Sequence, residues 1–304
     1  MGTTYNAERT FGVEIETNTS HSPETLATAI NAEFNVRGIS QQCEFVGYDH
    51  ITRNFWKIVR DVTVNGWEVV SPPMKGLDAR DEIDAVCTAL KSLGCTVGIN
   101  TGLHVHHDAA DLSPKQLGMV FGTYAAFETL LSMSVAPSRR TNTTMTSKLQ
   151  NFAYSHPSAF NDKWNNVNTR RDAISKFERM IGTRYATVNY EALQRHGTIE
   201  FRQHQGTLNT SKIWAWVLVT QSIIERTVQG KAKFPKPVAQ VREETGRSYS
   251  KGEYARFKRF IAVIARYNDD DEDASAPYCE AFKYLRKSIK KFAKNANIDI
   301  MEIE

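Results

Sequence analysis

Four separate stretches of this chain alternate apolar residues with acids or imidazoles, and that two-residue period is the period of a strand. In residues 11–17 (FGVEIET), Phe11, Val13 and Ile15 point one way, and Glu14 and Glu16 the other. In residues 59–71 (VRDVTVNGWEVVS), Asn65-Gly66 signals a two-residue hairpin turn of type I′. That turn predicts that Val64 opposes Trp67, Thr63 opposes Glu68 and Asp61 opposes Val70. Asp61, Thr63 and Glu68 then share one face, and Val62, Val64, Trp67 and Val69 the other. In NTGLHVHHD, His104, His106 and Asp108 alternate with Leu103 and Val105. In TIEFRQH, Glu200, Arg202 and His204 alternate with Ile199 and Phe201. Each strand thus has one face for a core and one that carries Glu, His, Asp or Arg.

An ordinary solvated face mixes acids with Lys, Thr, Ser and Gln. Carboxylates crowded on one face repel each other unless a cation neutralises them. Carboxylate oxygens with an occasional imidazole suit Mg²⁺ or Mn²⁺ better than structural zinc, and such ions commonly bind together with nucleotide phosphates.

The segments between these strands read as helices. Ser22-Pro23-Glu24 opens one that runs to about Phe34, with Ser22 as cap and Pro23 at the first helical position. Others are expected from about Leu77 to Leu93, from Ser113-Pro114 to about Val135, over roughly 170–181, and from Ser211 to Val228. A strand is expected from about Cys95 to Asp108, and a pair at 185–191 and 197–204. Residues 136–169, rich in Ser, Thr, Asn and Arg, read as a long irregular segment of the kind that often carries function. The order predicts an α+β fold, an antiparallel sheet with helices packed on one face and the active site on the other. Two regions are expected: a catalytic domain over 1–230 and a helical appendage over 231–304 packed on it.

Composition adds limits rather than direction. Of 304 residues, 41% are apolar and 24% charged, which fits a globular protein. No apolar run reaches the length of a membrane span, and the short polar start does not read as a signal peptide. Cys43, Cys87, Cys95 and Cys279 show no CxxC spacing, which points to buried free thiols and a cytoplasmic setting. The net charge of +4 is compatible with ATP, an acidic substrate or nucleic acid and selects none.

FGVEIET, WEVVSPPM, INTGLHVHHD, SRRTN, RYATVNY and TIEFRQHQGTLN resemble, in that order, the amidoligase family of the glutamine synthetase and glutamate–cysteine ligase superfamily. The resemblance covers about residues 11–229. The histidine strand and the Glu-x-Arg strand also resemble those of glutamine synthetase itself. The resemblance implies a glutamine-synthetase type of sheet and ATP-dependent joining of a carboxylate to an amine through an acyl-phosphate. It implies that Glu14, Glu16, Glu68, His104 and Glu200 ligate Mg²⁺ or Mn²⁺, and that His106 lies beside the nucleotide. Arg202 is expected on the phosphates, one of Arg139 and Arg140 on the γ-phosphate or the carboxylate, and Asn142 and Asn189 as polar contacts. Asp61 or Asp108 is a candidate to take the amine's proton. The segments by which glutamine synthetase binds glutamate and ammonia have no recognisable counterpart.

Two other readings stay open at this point. One is a metal-dependent hydrolase built on the same acids and histidines. The other is an inactive nucleic-acid-binding or structural protein, with Tyr254, Phe257, Phe260 and Tyr267 among the basic residues of the tail.

Overall fold

The structure is a computed structural model, and it describes residues 6–139, 166–181, 184–229, 283–285, 287 and 288. The apolar faces of the strands decide the architecture, because each must be covered. Strand β1 (Phe11–Asn18) buries Phe11, Val13 and Ile15, and it lies in the middle of a seven-stranded sheet. Helix α1 (Pro23–Arg37) follows. Then come β2 (Cys43–Gly47), β3 (Trp56–Val59) and β4 (Gly66–Val70). Helix α2 (Ala79–Ser92), β5 (Gly102–Asp108) and α3 (Pro114–Ser134) lead to a 3₁₀ turn at Pro137–Arg139. Helix α4 (Arg170–Ile181), β6 (Val188–Asn189), α5 (Ala192–Arg195), β7 (Thr198–Gln205) and α6 (Thr210–Val228) complete the domain.

The strand order is β2-β3-β4-β1-β5-β7-β6. Every neighbouring pair is antiparallel except β2 with β3. The result is a mixed α+β fold on a mostly antiparallel open sheet. One core joins Val13, Ile15, Ile58, Val69, Leu103, Val105, Ile199 and Phe201 to Leu26, Ile30, Val86, Phe121, Trp214 and Trp216 of the helices. Local sequence sets the helix ends. The Ser22 hydroxyl accepts from the Thr25 amide, and Gly38 closes α1 in the left-handed region at φ 65°. Ser113 and Gln116 form a reciprocal cap on α3.

Two expectations about strands fail. Asn65-Gly66 is not a two-residue hairpin turn: Val59 opposes Glu68 and Lys57 opposes Val70, so residues 60–65 form a longer connection. Asp61 therefore leaves the strand. Its Oδ1 accepts from the amide and hydroxyl of Thr63, both at 2.7 Å, in a local turn. Val62 is exposed rather than part of an apolar face. Gly66 belongs to β4 and lies against β1, where a Cβ would come 2.3 Å from the Thr17 carbonyl oxygen.

The second failure is on β7. Leu103 opposes His204, whereas Val105 opposes Phe201, so β7 carries a bulge between them. The extra residue turns His204 to the helix side, against Trp216 and the Tyr284 hydroxyl. β2 and the short α5 were not anticipated. Tyr284, Leu285 and Ser288 pack on the domain, and apart from Lys283 and Lys287 the rest of 231–304, Tyr254 to Tyr267 included, lies outside the described residues.

Candidate functional site

Register alone assembles most of the site. Glu14 on β1 is flanked by His104 on β5 and Val70 on β4; Glu16 opposes Glu68; His106 opposes Glu200, which also opposes Asn189 on β6. Cross-strand partners point to the same face, so five strands send these side chains into one cleft of about 340 Å³. Loops wall it: Tyr48, Asp49, Thr52 and Arg53 before β3, Arg60 to Thr63 before β4, and Arg184, Tyr185 and His196 beside β6 and β7.

The distances are those of a tight cluster. His104 Nδ1 is 2.8 Å from Glu14 Oε2, and its Nε2 is 3.4 Å from Glu16 Oε1. Glu68 and Glu200 lie 3.9 and 3.6 Å from His104 Nδ1. His106 Nε2 is 3.1 Å from Glu14 Oε1 and 3.9 Å from Glu200 Oε1. Three overlapping triads have their donor atoms within 4.8 Å of one another: Glu14, Glu68 and His104; Glu14, His106 and Glu200; Glu16, Asp61 and Glu68. Glu200 thus joins His106 in a triad as well as lying near His104. Asp61, displaced from the strand, still reaches the Glu16–Glu68 edge from its loop.

Supporting bonds fix these donors. The Thr198 hydroxyl is 3.0 Å from His106 Nδ1, which leaves Nε2 to the acids. Asn189 Nδ2 donates to Glu200 Oε2 at 2.7 Å, and Arg202 pairs with Glu200 Oε1. The Gly102 amide donates to Glu16 Oε2. Lys57 is nearly buried in the cleft wall, and its Nζ donates to the carbonyls of Asp49 and Ile51 at 2.9 and 2.8 Å. It thereby ties the loop before β3 down onto the sheet. Thr52 of that loop meets His196 Nδ1 at 3.1 Å.

Electrostatics mark the cluster as short of positive charge. Burial, and then the charges of Glu14, Glu16 and Asp61, push the Glu68 carboxyl well above the usual range. Burial opposes charge on Glu14 too, but His106 and His104 outweigh it and hold that carboxyl well below the range. Burial works against a cation at His106, yet Glu14 and Glu200 raise its pKa. Both upward shifts share a cause, a floor whose acids outnumber the cations beside them, which is the electrostatic setting of a cation site. Its oxygen-rich donor set, with one imidazole in each of two triads and none in the third, fits Mg²⁺ or Mn²⁺.

Of the residues expected from sequence, Glu14, Glu16, Glu68, His104, His106, Glu200, Arg202, Asn189, Asp61 and Asp108 all line the cleft. Arg139 does not. It is 3% exposed, and its Nη2 donates to the Arg202 carbonyl at 2.8 Å. Arg140 and Asn142 lie outside the described residues. Sequence reading missed Lys57, although a lysine inside the apolar run FWKIV was a signal. It also missed Thr198, which the alternation of TIEFR puts on the same face as Glu200.

No helix among the described residues is long and apolar enough to cross a membrane. No curated protein matches this chain. Residues 7–224, which carry the whole sheet and cleft, match the family described as "Putative amidoligase enzyme". That description is of amide-bond formation, and with most of its length matched the chain belongs to the amidoligase family.

Proposed function

We propose that the cleft is the active site of an ATP-dependent carboxylate–amine ligase that works through an acyl-phosphate, on a sheet of the glutamine-synthetase type. The observation that carries this reading is the convergence of three carboxylate-rich triads in one cleft of an amidoligase-family chain. Glu14, Glu16, Glu68, His104 and Glu200 would hold Mg²⁺ or Mn²⁺, with His106 completing one of the triads. When bound, such ions supply Lewis acidity and a template for phosphate oxygens.

The protein's own groups have distinct tasks. Arg202, fixed by Glu200 and facing the cleft, offers positive charge to the phosphoryl oxygens on which negative charge develops. A carboxylate oxygen of the substrate attacks the γ-phosphorus and ADP leaves. The amine nitrogen then attacks the acyl carbon and phosphate leaves. The amine loses a proton in that step, and Asp61 or Asp108, which both line the cleft, would receive it. Asn189 holds Glu200 and Thr198 holds His106, so both act on the orientation of donors. Lys57 keeps the loop before β3 in place as a wall of the cleft.

Hydroxylamine is a small surrogate amine that traps acyl-phosphates. With a panel of carboxylic acids, Mg²⁺ and ATP, the expected result is hydroxamate and ADP formed in equal amounts with one class of acid. Glu14→Gln and Glu200→Gln should lower both by about 10²-fold or more. ADP release that no acid stimulates, or cleavage of an amide or ester without ATP, would instead favour the hydrolase.

A further inference from the structure

β7 carries its bulge against β5 in the stretch that holds Arg202. β7 takes three residue steps from Phe201 to His204, while β5 takes two from Val105 to Leu103. The backbone groups of Arg202 face the other edge of β7, where its amide continues the β6 register to the Thr187 carbonyl at 2.8 Å. The Arg202 carbonyl accepts from Arg139 Nη2, also at 2.8 Å.

The element that brings Arg139 there is fastened to the same strand. The amide of Ala136, just before the 3₁₀ turn, donates to Gln205 Oε1 at 2.9 Å. The turn therefore grips β7 at both ends of its irregularity. Space for the guanidinium comes from Gly102 on β5. A Cβ at Gly102 would lie 2.7 Å from Arg139 Nη2 and 3.0 Å from His104 Nε2. The guanidinium thus lies in room that the glycine leaves open beside the sheet.

We propose that Arg139 is a positioning residue: it caps the Arg202 carbonyl and aims Arg202 at Glu200 and the cleft, with Gly102 as the opening that admits it. The contact with phosphate belongs to Arg202, and Arg139 acts through it. This rests on the cleft being a metal and nucleotide site. Its buried position, outside the cleft lining, separates Arg139 from the arginines of the rim.

The test is a double-mutant cycle on the full-length protein, with Mn²⁺ and a non-hydrolysable ATP analogue as probes in calorimetry. Arg139→Gln should weaken binding of the Mn²⁺–analogue complex by about tenfold or more, the usual cost of losing a group that orients a ligand. Arg202→Gln should weaken it at least as much, and the double variant no more than Arg202→Gln alone. Gly102→Ala should behave like Arg139→Gln, and Arg139→Lys, which keeps one donor, should fall between wild type and Arg139→Gln. Wild-type affinity in Arg139→Gln, or losses that multiply in the double variant, would overturn the proposal. If Arg139→Gln does not fold, Arg139→Lys and Gly102→Ala carry the same comparison with Arg202→Gln.

A second arm does not depend on nucleotide. A crystal structure of Arg139→Gln or Arg139→Lys should show Arg202 turned away from Glu200, and an unchanged Arg202–Glu200 pair would overturn the proposal. Wild-type protein that binds no Mn²⁺–analogue complex would count against the ligase reading, while the structural arm still decides the role of Arg139.

Discussion

His104 and His106 on β5 face acids, whereas His107 on the same strand and His204 on the neighbouring β7 face helices. His107 Nε2 meets the Thr220 hydroxyl at 2.8 Å, and burial, then Arg9 and His106, hold its pKa well below the usual value. Burial pushes His204 down to about 3. Both are neutral when folded and ordinary bases when unfolded. The unfolded chain thus binds more protons between about pH 6.5 and 3, and stability falls as pH falls through that window. His106 has the opposite sign, because its raised pKa contributes stability at low pH that is lost on going up. Comparison of wild type with His204→Gln isolates the first effect. In urea titrations of metal-free protein, wild type should lose about 2 kcal/mol more than the variant between pH 7 and pH 5. Parallel losses would show that His204 does not stay neutral.

Alternation found Glu14, Glu16, Glu68, His104, His106, Glu200 and Arg202 on one face, because a strand's period fixes sidedness without knowledge of its neighbours. It misplaced His204, because the bulge that turns that ring is set by pairing with β5. It took Asp61 to the right cleft by the wrong route, as a strand residue when it lies on a loop.

At the scale of elements, Gly66 shows how a strong local signal can serve another purpose. Asn-Gly suits a type I′ turn, but here the glycine gives β4 room against β1. Gly66→Ala would put its Cβ within 2.8 Å of the Thr19 amide as well as against the Thr17 carbonyl. Neither backbone atom can swing aside, so a loss of about 1–3 kcal/mol is expected from the denaturation midpoint. Ser113→Ala, which removes one half of the cap on α3, should cost about 1 kcal/mol. A Gly66→Ala variant as stable as wild type would mean that β4 can move off β1 freely. The helices were legible because their caps are local chemistry. The parallel contact of β2 with β3, joined by a short loop rather than a helix, was not, since parallel strands usually need a longer crossover.

For the molecule as a whole, one sheet separates two environments. The helix side is apolar and holds Cys43 and Cys87, whose thiols burial pushes up to about 12. A thiol reagent at pH 8 should modify these two only as fast as the protein opens, and rapid modification of native protein would show that the core is looser than its packing. The cleft side holds the clustered acids and imidazoles. The most direct measurement is a titration of the protein with Mn²⁺, followed by electron paramagnetic resonance, with and without a non-hydrolysable ATP analogue. The expected result is at least two bound Mn²⁺ per chain, tightened by the nucleotide and lost in Glu14→Gln and Glu200→Gln variants that remain folded. Binding that is weak, indifferent to nucleotide and equal in the variants would contradict the central claim that this face holds divalent cations against a triphosphate.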